Sequence, residues 1–254
     1  MRHYALIGDP VAHSLSPKIY TELFERYGVD ADFSCLRIPA GETARVLELE
    51  LSGFACTMPH KRAVIPYLDS ISDTAKACES VNIVRCGEEG LSGFSTDGGG
   101  LLAALQRMGA GVKNVALMGT GGAARAAIHA LLGAGAKVTL FGRNAEARDE
   151  LCKRFAALNG GARPDSLDSC DTYINATPLG MAGREEYPSL KFLDTLPSGA
   201  AVYDMVYFPS NTKLVEAARA RGLNAGNGLS MLYEQAYLAF EIWTGIRVEK
   251  AGCK

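Results

Sequence analysis

The sequence predicts an α/β protein with two domains and mostly parallel sheets. Short apolar runs alternate with amphipathic segments along all 254 residues, and this alternation is typical of strands joined by crossover helices. One fully apolar run leads directly into a glycine-rich turn, and the chain is long enough for one large domain or two modest ones.

In the first half, the run 4–7 predicts a strand that ends in the turn Gly8-Asp9-Pro10. Ser16 and Pro17 then predict a helix start, because serine caps helix N-termini and proline fits the first position. Apolar residues follow at helical spacing as far as Tyr27. The other elements expected here are strands near 33–38, 53–58, 81–85 and 91–94 and helices near 42–51 and from 59 onward.

The second half has a more regular rhythm. The continuous apolar run 114–118 predicts a buried parallel strand, and the turn 119–124 separates it from a helix. The glycines 98–100 indicate a break between the two halves. The elements expected here are strands at 137–141, 173–175 and 201–204 and helices at 101–108, 125–132, 145–158, 212–221 and 229–244.

Composition excludes several classes of protein. The 28 acidic and 26 basic side chains give a formal net charge of −2, so no basic footprint indicates nucleic acid or an anionic membrane surface. No apolar run approaches the roughly 20 residues of a transmembrane helix, and the N-terminus lacks the apolar core of a secretory signal. We expect a cytoplasmic protein.

The cysteines and histidines predict no metal site. The seven cysteines include no Cys-x-x-Cys pair, and the four histidines lack ligand spacing. Reduced thiols in a reducing compartment are therefore expected. The cysteines are Cys35, Cys56, Cys78, Cys86, Cys152, Cys170 and Cys253.

The glycine-rich turn has the pattern Gly119-x-Gly121-x-x-Ala124 between a predicted strand and a predicted helix. In that context the glycines allow a tight turn and close approach of a pyrophosphate, while the helix N-terminus supplies N–H groups. The next strand ends at Arg143, with no acidic residue to hold a ribose hydroxyl. Arginine favours a 2′-phosphate, so NADP is the expected cofactor. A plain tight turn and a solvated arginine stay open as alternatives.

The first half supplies polar side chains at predicted loop–helix junctions, where α/β proteins build substrate sites. Each has an ordinary explanation: Ser16 could cap a helix, Lys61 could be a solvated helix residue, and Asp97 could stabilise a turn. Together they provide hydroxyl, amide, ammonium and carboxylate groups suited to a polar polyol acid. The segments concerned are Ser14-Leu-Ser-Pro17, Thr57-Met-Pro-His-Lys61, Asn82 and Thr96-Asp97.

Together with further motifs, these segments resemble the shikimate dehydrogenase family along nearly the whole chain. The further motifs are Val81-Asn82, Thr96-Asp97-Gly98, Gly119-Thr-Gly-Gly-Ala-Ala-Arg125, Asn175-Ala-Thr177 with Gly180-Met181, Asp204-Met-Val-Tyr207 with Pro209, Gly228-Leu-Ser-Met-Leu232, Gln235 and Trp243-Thr244-Gly245.

The resemblance implies NADP-linked, reversible reduction of 3-dehydroshikimate to shikimate in aromatic amino acid biosynthesis. It implies an α/β substrate domain at residues 1–98, a Rossmann NADP domain at 99–226, and a helical segment at 227–254 that packs back on the first domain. A small-molecule substrate is the expected partner, with no nucleic acid or membrane, and the protein would be a monomer or a homodimer.

The resemblance also implies roles for individual residues, with Lys61 and Asp97 as the catalytic pair. Alcohol oxidation needs a group to take the hydroxyl proton, and a lysine beside a carboxylate can do this. The implied substrate-binding residues are Ser14, Ser16, Thr57, Asn82, Tyr207 and Gln235. The implied cofactor residues are Gly119, Thr120, Gly121, Gly122 and Ala123 at the pyrophosphate, Arg143 and Asn144 at the 2′-phosphate, and Met205 and Gly228 beside the nicotinamide.

The chain departs from the family pattern at three places. Ala55 stands where an asparagine is usual, Glu79-Ser80 where Gly-Ala is usual, and Ser95 where an asparagine is usual. A paralogue acting on quinate or another cyclic polyol acid is therefore an alternative. A non-catalytic dinucleotide-binding regulatory module is another, although it would not need both Lys61 and Asp97. The Ser14 segment and Gln235 disfavour a two-domain enzyme of folate metabolism.

Overall fold

The structure is a computed structural model that describes residues 1–249. The chain forms two compact units. One contains Met1–Asp97 together with residues 233–249, and the other contains Gly98–Leu232. The assignment of 1–98, 99–226 and 227–254 to a substrate domain, a dinucleotide domain and a returning segment stays a prediction.

The first unit contains a six-stranded sheet in the order β2-β1-β3-β5-β6-β4. Its strands are β1 (Arg2–Gly8), β2 (Ala31–Arg37), β3 (Gly53–Cys56), β4 (Ser70–Ile71), β5 (Ile83–Gly87) and β6 (Gly90–Phe94). The first three strands pair in parallel, while β5 is antiparallel to both β3 and β6. The expected parallel pairing thus ends between β3 and β5, and the two-residue turn between β5 and β6 can join only antiparallel strands.

The helices of this unit are short except for two. They are α1 (Ser16–Tyr27), α2 (His60–Ala63), α3 (Asp73–Cys78) and the part of α8 (Leu229–Thr244) beyond residue 232, with 3₁₀ segments at Thr43–Glu48 and Ile65–Tyr67. None of the helices within residues 1–249 is both long and apolar enough to cross a membrane.

The C-terminal helix packs on the first unit, as the resemblance implied. The indole of Trp243 lies 4.8 Å from the ring of Tyr4 and 5.1 Å from that of Tyr20, and its Nε1 donates to the Val84 carbonyl at 2.9 Å. Gly53 leaves room for this contact, because a Cβ there would lie 2.6 Å from the indole nitrogen. The predicted return of the helix is confirmed.

The second unit contains six parallel strands in the order β12-β11-β10-β7-β8-β9. They are β7 (Asn114–Met118), β8 (Lys137–Phe141), β9 (Leu158–Gly161), β10 (Thr172–Asn175), β11 (Ala201–Asp204) and β12 (Asn224–Asn227). The helices are α4 (Asp97–Met108), α5 (Gly122–Gly133), α6 (Ala145–Phe155) and α7 (Lys213–Arg219), with a 3₁₀ segment at Lys191–Thr195.

Strand order reverses beside β7, and this is where open α/β sheets bind ligands. Apolar side chains cover both faces of the sheet, with Leu117 and Ile174 in one core and Tyr173 and Val202 in the other. The predicted α/β class with a Rossmann-type unit is confirmed.

Two predicted elements were wrong in detail. The boundary between the two units falls at Asp97–Gly98, as predicted, but the glycines 98–100 lie inside α4 and not in a loop before a helix at 101. The reason is packing: a Cβ on Gly98 would lie 2.7 Å from the Ala126 carbonyl oxygen on α5. The helix predicted at 42–51 is a six-residue 3₁₀ segment, Thr43–Glu48.

The predicted capping role of Ser16 was also wrong. Leu15 occupies the cap position of α1 without a side-chain hydrogen bond, and Ser16 is the first helical residue. The backbone N–H of Ser16 instead donates to the Ser14 hydroxyl oxygen at 3.1 Å. This arrangement places both serine hydroxyls at the start of the helix.

Candidate active site

Lys61 and Asp97 form an ion pair at the centre of the polar cluster in the first unit. Lys61 lies in the single turn of α2, and Asp97 is the first residue of α4. Lys61 Nζ donates a hydrogen bond to Asp97 Oδ2. The two side chains are only 18% and 7% exposed. In this largely buried pair of opposite charges, each group orients the other.

Asn82 fixes the second oxygen of the Asp97 carboxylate. Its Oδ1 accepts the backbone N–H of Thr96 at 2.7 Å, so the amide nitrogen must face the other way. That nitrogen lies 3.2 Å from Asp97 Oδ1 and 2.8 Å from Thr96 Oγ1. The carboxylate is therefore oriented through both of its oxygens.

Gln235 extends this network from the C-terminal helix. Its Oε1 lies 3.2 Å from Asn82 Nδ2 and 3.3 Å from Thr96 Oγ1. The structure thus brings together four residues that the sequence predicted separately: Lys61, Asn82, Asp97 and Gln235. Thr96 joins them as a network member whose hydroxyl the sequence did not single out.

His60 anchors the helix that carries Lys61. The imidazole is completely buried, with Nε2 2.7 Å from the Ile38 carbonyl and Nδ1 2.8 Å from Thr43 Oγ1. Because a carbonyl only accepts, Nε2 carries a proton and donates it to Ile38, while the contact between Nδ1 and Thr43 ties the ring to the 3₁₀ segment. Sequence reasoning noted His60 only as part of a motif, since its partners lie 17 and 22 residues away in the chain.

Tyr20 brings a buried phenol to the same unit. It lies one helical turn after Ser16 on α1, and its hydroxyl has no hydrogen-bond partner among residues 1–249. Burial raises the pKa of Tyr20, and the negative charge of Asp97 raises it further. The phenol is therefore a neutral donor, and its position was not predicted.

Ser14 and Ser16 present their hydroxyl groups together. The Ser14 hydroxyl oxygen lies 3.1 Å from that of Ser16, and Ser16 is buried while Ser14 is partly exposed. Thr57 follows β3, and its backbone N–H donates to the Ile7 carbonyl at 2.9 Å. The substrate contacts of all three stay predictions.

The glycine-rich turn has the geometry that a pyrophosphate requires. Gly119 has φ +133°, and a Cβ there would lie 2.8 Å from the Ala176 carbonyl oxygen. Nothing lies within 4 Å of a Cβ built on Gly121, so the space beside the turn is open. The first N–H groups of α5, which begins at Gly122, have no side-chain cap and are free to donate to an anion. The turn therefore fits a dinucleotide.

Arg143 and Asn144 follow β8, at the carboxyl end of the strand. Arg143 is 63% exposed, and its Nη1 lies 2.9 Å from Glu185 Oε2. Asn144 caps α6, because its Oδ1 accepts the N–H of Ala147 at 3.0 Å. This cap leaves the Asn144 amide nitrogen as a donor. The two side chains supply donors suited to a 2′-phosphate.

Met205 and Gly228 lie against each other in the second unit. A Cβ on Gly228 would collide with the Met205 backbone, so only glycine fits there. Tyr207 belongs to the same unit and lies two residues after Met205, beyond the end of β11. The contacts of these three residues with nicotinamide or substrate stay predictions.

Two of the three departures from the family pattern lie at buried or constrained positions. Ala55 is 7% exposed in β3, where it pairs with Leu6 and Ile83. Glu79 ends α3 with φ +46°, a conformation that favours glycine. The hydroxyl of Ser80 is buried with no hydrogen-bond partner among the described residues.

Comparison with known protein families and sequences gives consistent matches. The shikimate dehydrogenase substrate binding domain matches residues 6–84, and the shikimate 5′-dehydrogenase C-terminal domain matches residues 228–253. A shikimate dehydrogenase (NADP(+)) from Citrifermentans bemidjiense is 38% identical over 98% of this chain and 91% of its own length.

Solved structures give the same fold. Shikimate 5-dehydrogenase from Thermus thermophilus, in complex with NADP(H) and shikimate, has a TM-score of 0.88 and 32% identity, covering 98% of this chain and 95% of that one. The 5-ketofructose reductase of Gluconobacter sp. strain CHM43 has a TM-score of 0.84 and 29% identity, covering 98% and 94%. Proteins with different named substrates thus share this architecture.

Proposed function

This chain belongs to the shikimate dehydrogenase family, and on that premise we propose that it catalyses the reversible NADP-linked reduction of 3-dehydroshikimate to shikimate in aromatic amino acid biosynthesis. The observation that carries the proposal is the buried Lys61–Asp97 pair, held by Asn82. Ligand binding alone does not require such a proton-transfer pair.

The proposed reaction gives the Lys61–Asp97 pair the role of transferring a proton. In the oxidation direction, a substrate hydroxyl loses its proton while hydride leaves the same carbon. Bound NADP supplies the hydride acceptor. The hydroxyl proton passes to the Lys61–Asp97 pair, and in the reduction direction the pair returns it to the developing alkoxide. Burial strengthens the electrostatic contribution of both groups to this transfer.

The substrate would be held by the polar groups around that pair. Ser14 and Ser16 offer adjacent hydroxyls beside the N-terminus of α1, where a carboxylate is stabilised by the helix dipole. Thr57, Asn82 and Gln235 would hold the ring hydroxyls, and the resemblance adds Tyr207 of the second unit as a substrate-binding residue.

The cofactor would be held by the second unit. The turn 119–123 and the N-terminus of α5 would bind the pyrophosphate, with Arg143 and Asn144 at the 2′-phosphate and Met205 and Gly228 beside the nicotinamide. The open space at Gly121 and the uncapped N–H groups of α5 support this assignment.

We place the enzyme in the cytoplasm, with small molecules as its partners. The six cysteines among residues 1–249 are all free thiols, which fits a reducing compartment. Cys253 lies outside the described residues.

A paralogue that acts on quinate or another cyclic polyol acid is the competing hypothesis, since Ala55 removes an amide near Thr57. The experiment that separates the hypotheses measures reduction of NADP and NAD by the purified protein with shikimate and with quinate in parallel. Turnover of shikimate with NADP supports the proposal. A protein inert toward shikimate yet active on quinate overturns it.

The catalytic pair is tested by substitution. Lys61→Ala should lower kcat by about 10²–10⁴-fold, with a smaller effect on KM, because an acid–base group acts mainly in the transition state. Asp97→Asn should also lower kcat strongly. Lys18→Ala is a matched control, since Lys18 is 70% exposed on α1 and should leave kcat unchanged. Near-normal kcat in both site variants would refute the assignment.

A further inference from the structure

Arg143 already has an anionic partner within its own unit. Its Nη1 and Glu185 Oε2 are 2.9 Å apart, and the two side chains are 63% and 71% exposed. Both residues line a cavity of about 620 Å³, which Met118 at the end of β7 also lines. The Glu185 carboxylate therefore already holds one nitrogen of the guanidinium that a 2′-phosphate would use.

The turn that carries Glu185 is closed by its own backbone hydrogen bonds. The Gly180 N–H donates to the Glu185 carbonyl at 2.8 Å, and the Arg184 N–H donates to the Met181 carbonyl at 2.9 Å. Gly180 has φ +81°, a conformation natural to glycine. Glu185 is thus presented to Arg143 by a defined turn.

NADP and NAD place different demands on this pair. A phosphate monoester carries about −1.5 to −2 charge at neutral pH, whereas NAD has an uncharged hydroxyl at the same position. To reach Arg143, the 2′-phosphate must displace the Glu185 carboxylate or share the guanidinium with it. Either way the negative charges lie close together, and the repulsion disfavours NADP. NAD meets no such repulsion.

We propose that Glu185 is a specificity-determining residue that selectively weakens NADP binding and so narrows the preference of this enzyme for NADP over NAD. The inference rests on the proposed function, since it takes Arg143 as the 2′-phosphate residue. It adds a residue from a different loop that sets how strong the preference is.

The test replaces Glu185 by glutamine, which keeps the size and removes the charge. Glu186→Gln is the matched control, because Glu186 is the next residue and its carboxylate pairs with Lys213 at 3.3 Å. Calorimetric titration should show that Glu185→Gln lowers the Kd for NADP by about two- to tenfold at low salt. The Kd for NAD should stay level, and Glu186→Gln should leave the ratio of the two Kd values as in the unmodified protein.

Two further measurements, at different salt concentrations and in an Arg143→Ala background, test whether Glu185 acts through its charge and through Arg143. Raising the ionic strength from about 0.05 M to about 0.5 M should shrink the effect of Glu185→Gln, because the charges are exposed. In an Arg143→Ala background, Glu185→Gln should change the Kd for NADP less than it does alone, since the two residues act on one phosphate.

The outcomes distinguish failure of the role proposed for Glu185 from failure of the 2′-phosphate assignment of Arg143. If Arg143→Ala weakens NADP selectively but Glu185→Gln leaves the ratio unchanged, the inference about Glu185 is overturned while the role of Arg143 stands. If Arg143→Ala weakens both cofactors equally, the 2′-phosphate assignment itself fails, and the inference fails with it. A tightening of NADP and NAD alike by Glu185→Gln also overturns the inference.

Discussion

At the residue scale, Asn82 holds Asp97 in place through a chain of obligatory hydrogen bonds. The Thr96 N–H can only donate, so the Asn82 oxygen must face it and the amide nitrogen must face Asp97. The amide nitrogen of Asn82 lies within hydrogen-bond distance of Asp97, Thr96 and Gln235. This geometry indicates that Asn82 positions the Asp97 carboxylate, for which we propose a catalytic role, besides the substrate contact that the resemblance implies.

Asn82→Ala should therefore lower kcat more than it raises KM. Removing the amide frees one oxygen of Asp97, and a displacement of about 1 Å in a catalytic group can cost about 10²-fold in rate. Steady-state kinetics with shikimate and NADP, together with a thermal melt to verify folding, checks this expectation. A large rise in KM at unchanged kcat would instead mean that Asn82 acts by gripping the substrate.

The residues that sequence reasoning identified at the site are those whose chemistry is visible in isolation. Lys61 and Asp97 are ionisable groups within ordered motifs, so the sequence indicated them directly. His60 and Thr96 act through partners far away in the chain, such as Ile38 for His60 and Gln235 for Thr96. Only the fold reveals such partners, and a single sequence carries no signal for them.

For single elements, the residues at which a helix begins and ends were harder to predict than the presence of the helix. The C-terminal helix, Leu229–Thr244, and the strand Asn114–Met118 match their predicted bounds, because long or continuous apolar patterns are unambiguous. The glycines 98–100 mark the boundary between the units as predicted, but they were wrongly predicted to lie outside a helix, because glycine serves both as a helix breaker and as a point of close helix packing. Only the contact of Gly98 with α5 decides between these roles.

The end of α3 offers a test at this scale. Glu79 adopts a left-handed conformation, which costs about 1–2 kcal/mol for a residue with a Cβ. Glycine avoids this cost, but it makes the unfolded chain more flexible and thereby lowers the free energy of unfolding by about 0.5–1 kcal/mol. Glu79→Gly should therefore raise stability by up to about 1 kcal/mol and the melting midpoint by about 2–4 °C. Its exposed contact with Arg62, at 3.6 Å, contributes little.

Glu25→Gly is the matched control for this prediction. Glu25 is an exposed residue of α1 with regular helical geometry, where glycine costs about 1 kcal/mol. The same chemical change should thus destabilise the protein there. A lower melting midpoint for both variants would contradict the argument from the backbone of Glu79.

At the scale of the whole molecule, strand and helix alternation predicted the α/β class because parallel strands need crossovers. The sequence could not predict the antiparallel β5–β6 pair or the order of strands in the first sheet. Those features depend on pairings between segments distant in the chain, such as β1 with β3. The second sheet was closer to expectation, since every strand in it is parallel.

The stability of the second unit should depend on pH through one buried carboxyl group, Asp204. It ends β11 and accepts hydrogen bonds from Asn175, Val206 and the Thr212 hydroxyl, so it joins two strand ends to the cap of α7. Burial raises the pKa of Asp204 to about 6, although these three donors oppose the shift. The ordinary pKa of an aspartate in an unfolded chain is about 3.9.

The sign of the effect follows from these two pKa values. Between about pH 4 and pH 6 the folded protein holds a proton on Asp204 that the unfolded chain has released, so folding becomes less favourable as the pH rises. The contribution is fully present below about pH 4 and is lost as the pH passes about 6. The difference between a pKa of about 6 in the folded protein and about 3.9 in the unfolded chain corresponds to about 3 kcal/mol.

Asp204→Asn isolates this contribution, because asparagine keeps an acceptor for Val206 and cannot titrate. The melting midpoint of the unmodified protein, measured against that of Asp204→Asn, should fall by several degrees between about pH 4 and pH 7. Asp194→Asn should not abolish this fall, since the Arg221 guanidinium lowers the pKa of Asp194 and its contribution has the opposite sign. If the difference between the protein and Asp204→Asn stays constant across this range, Asp204 is ionised throughout, and its three hydrogen-bond donors outweigh its burial.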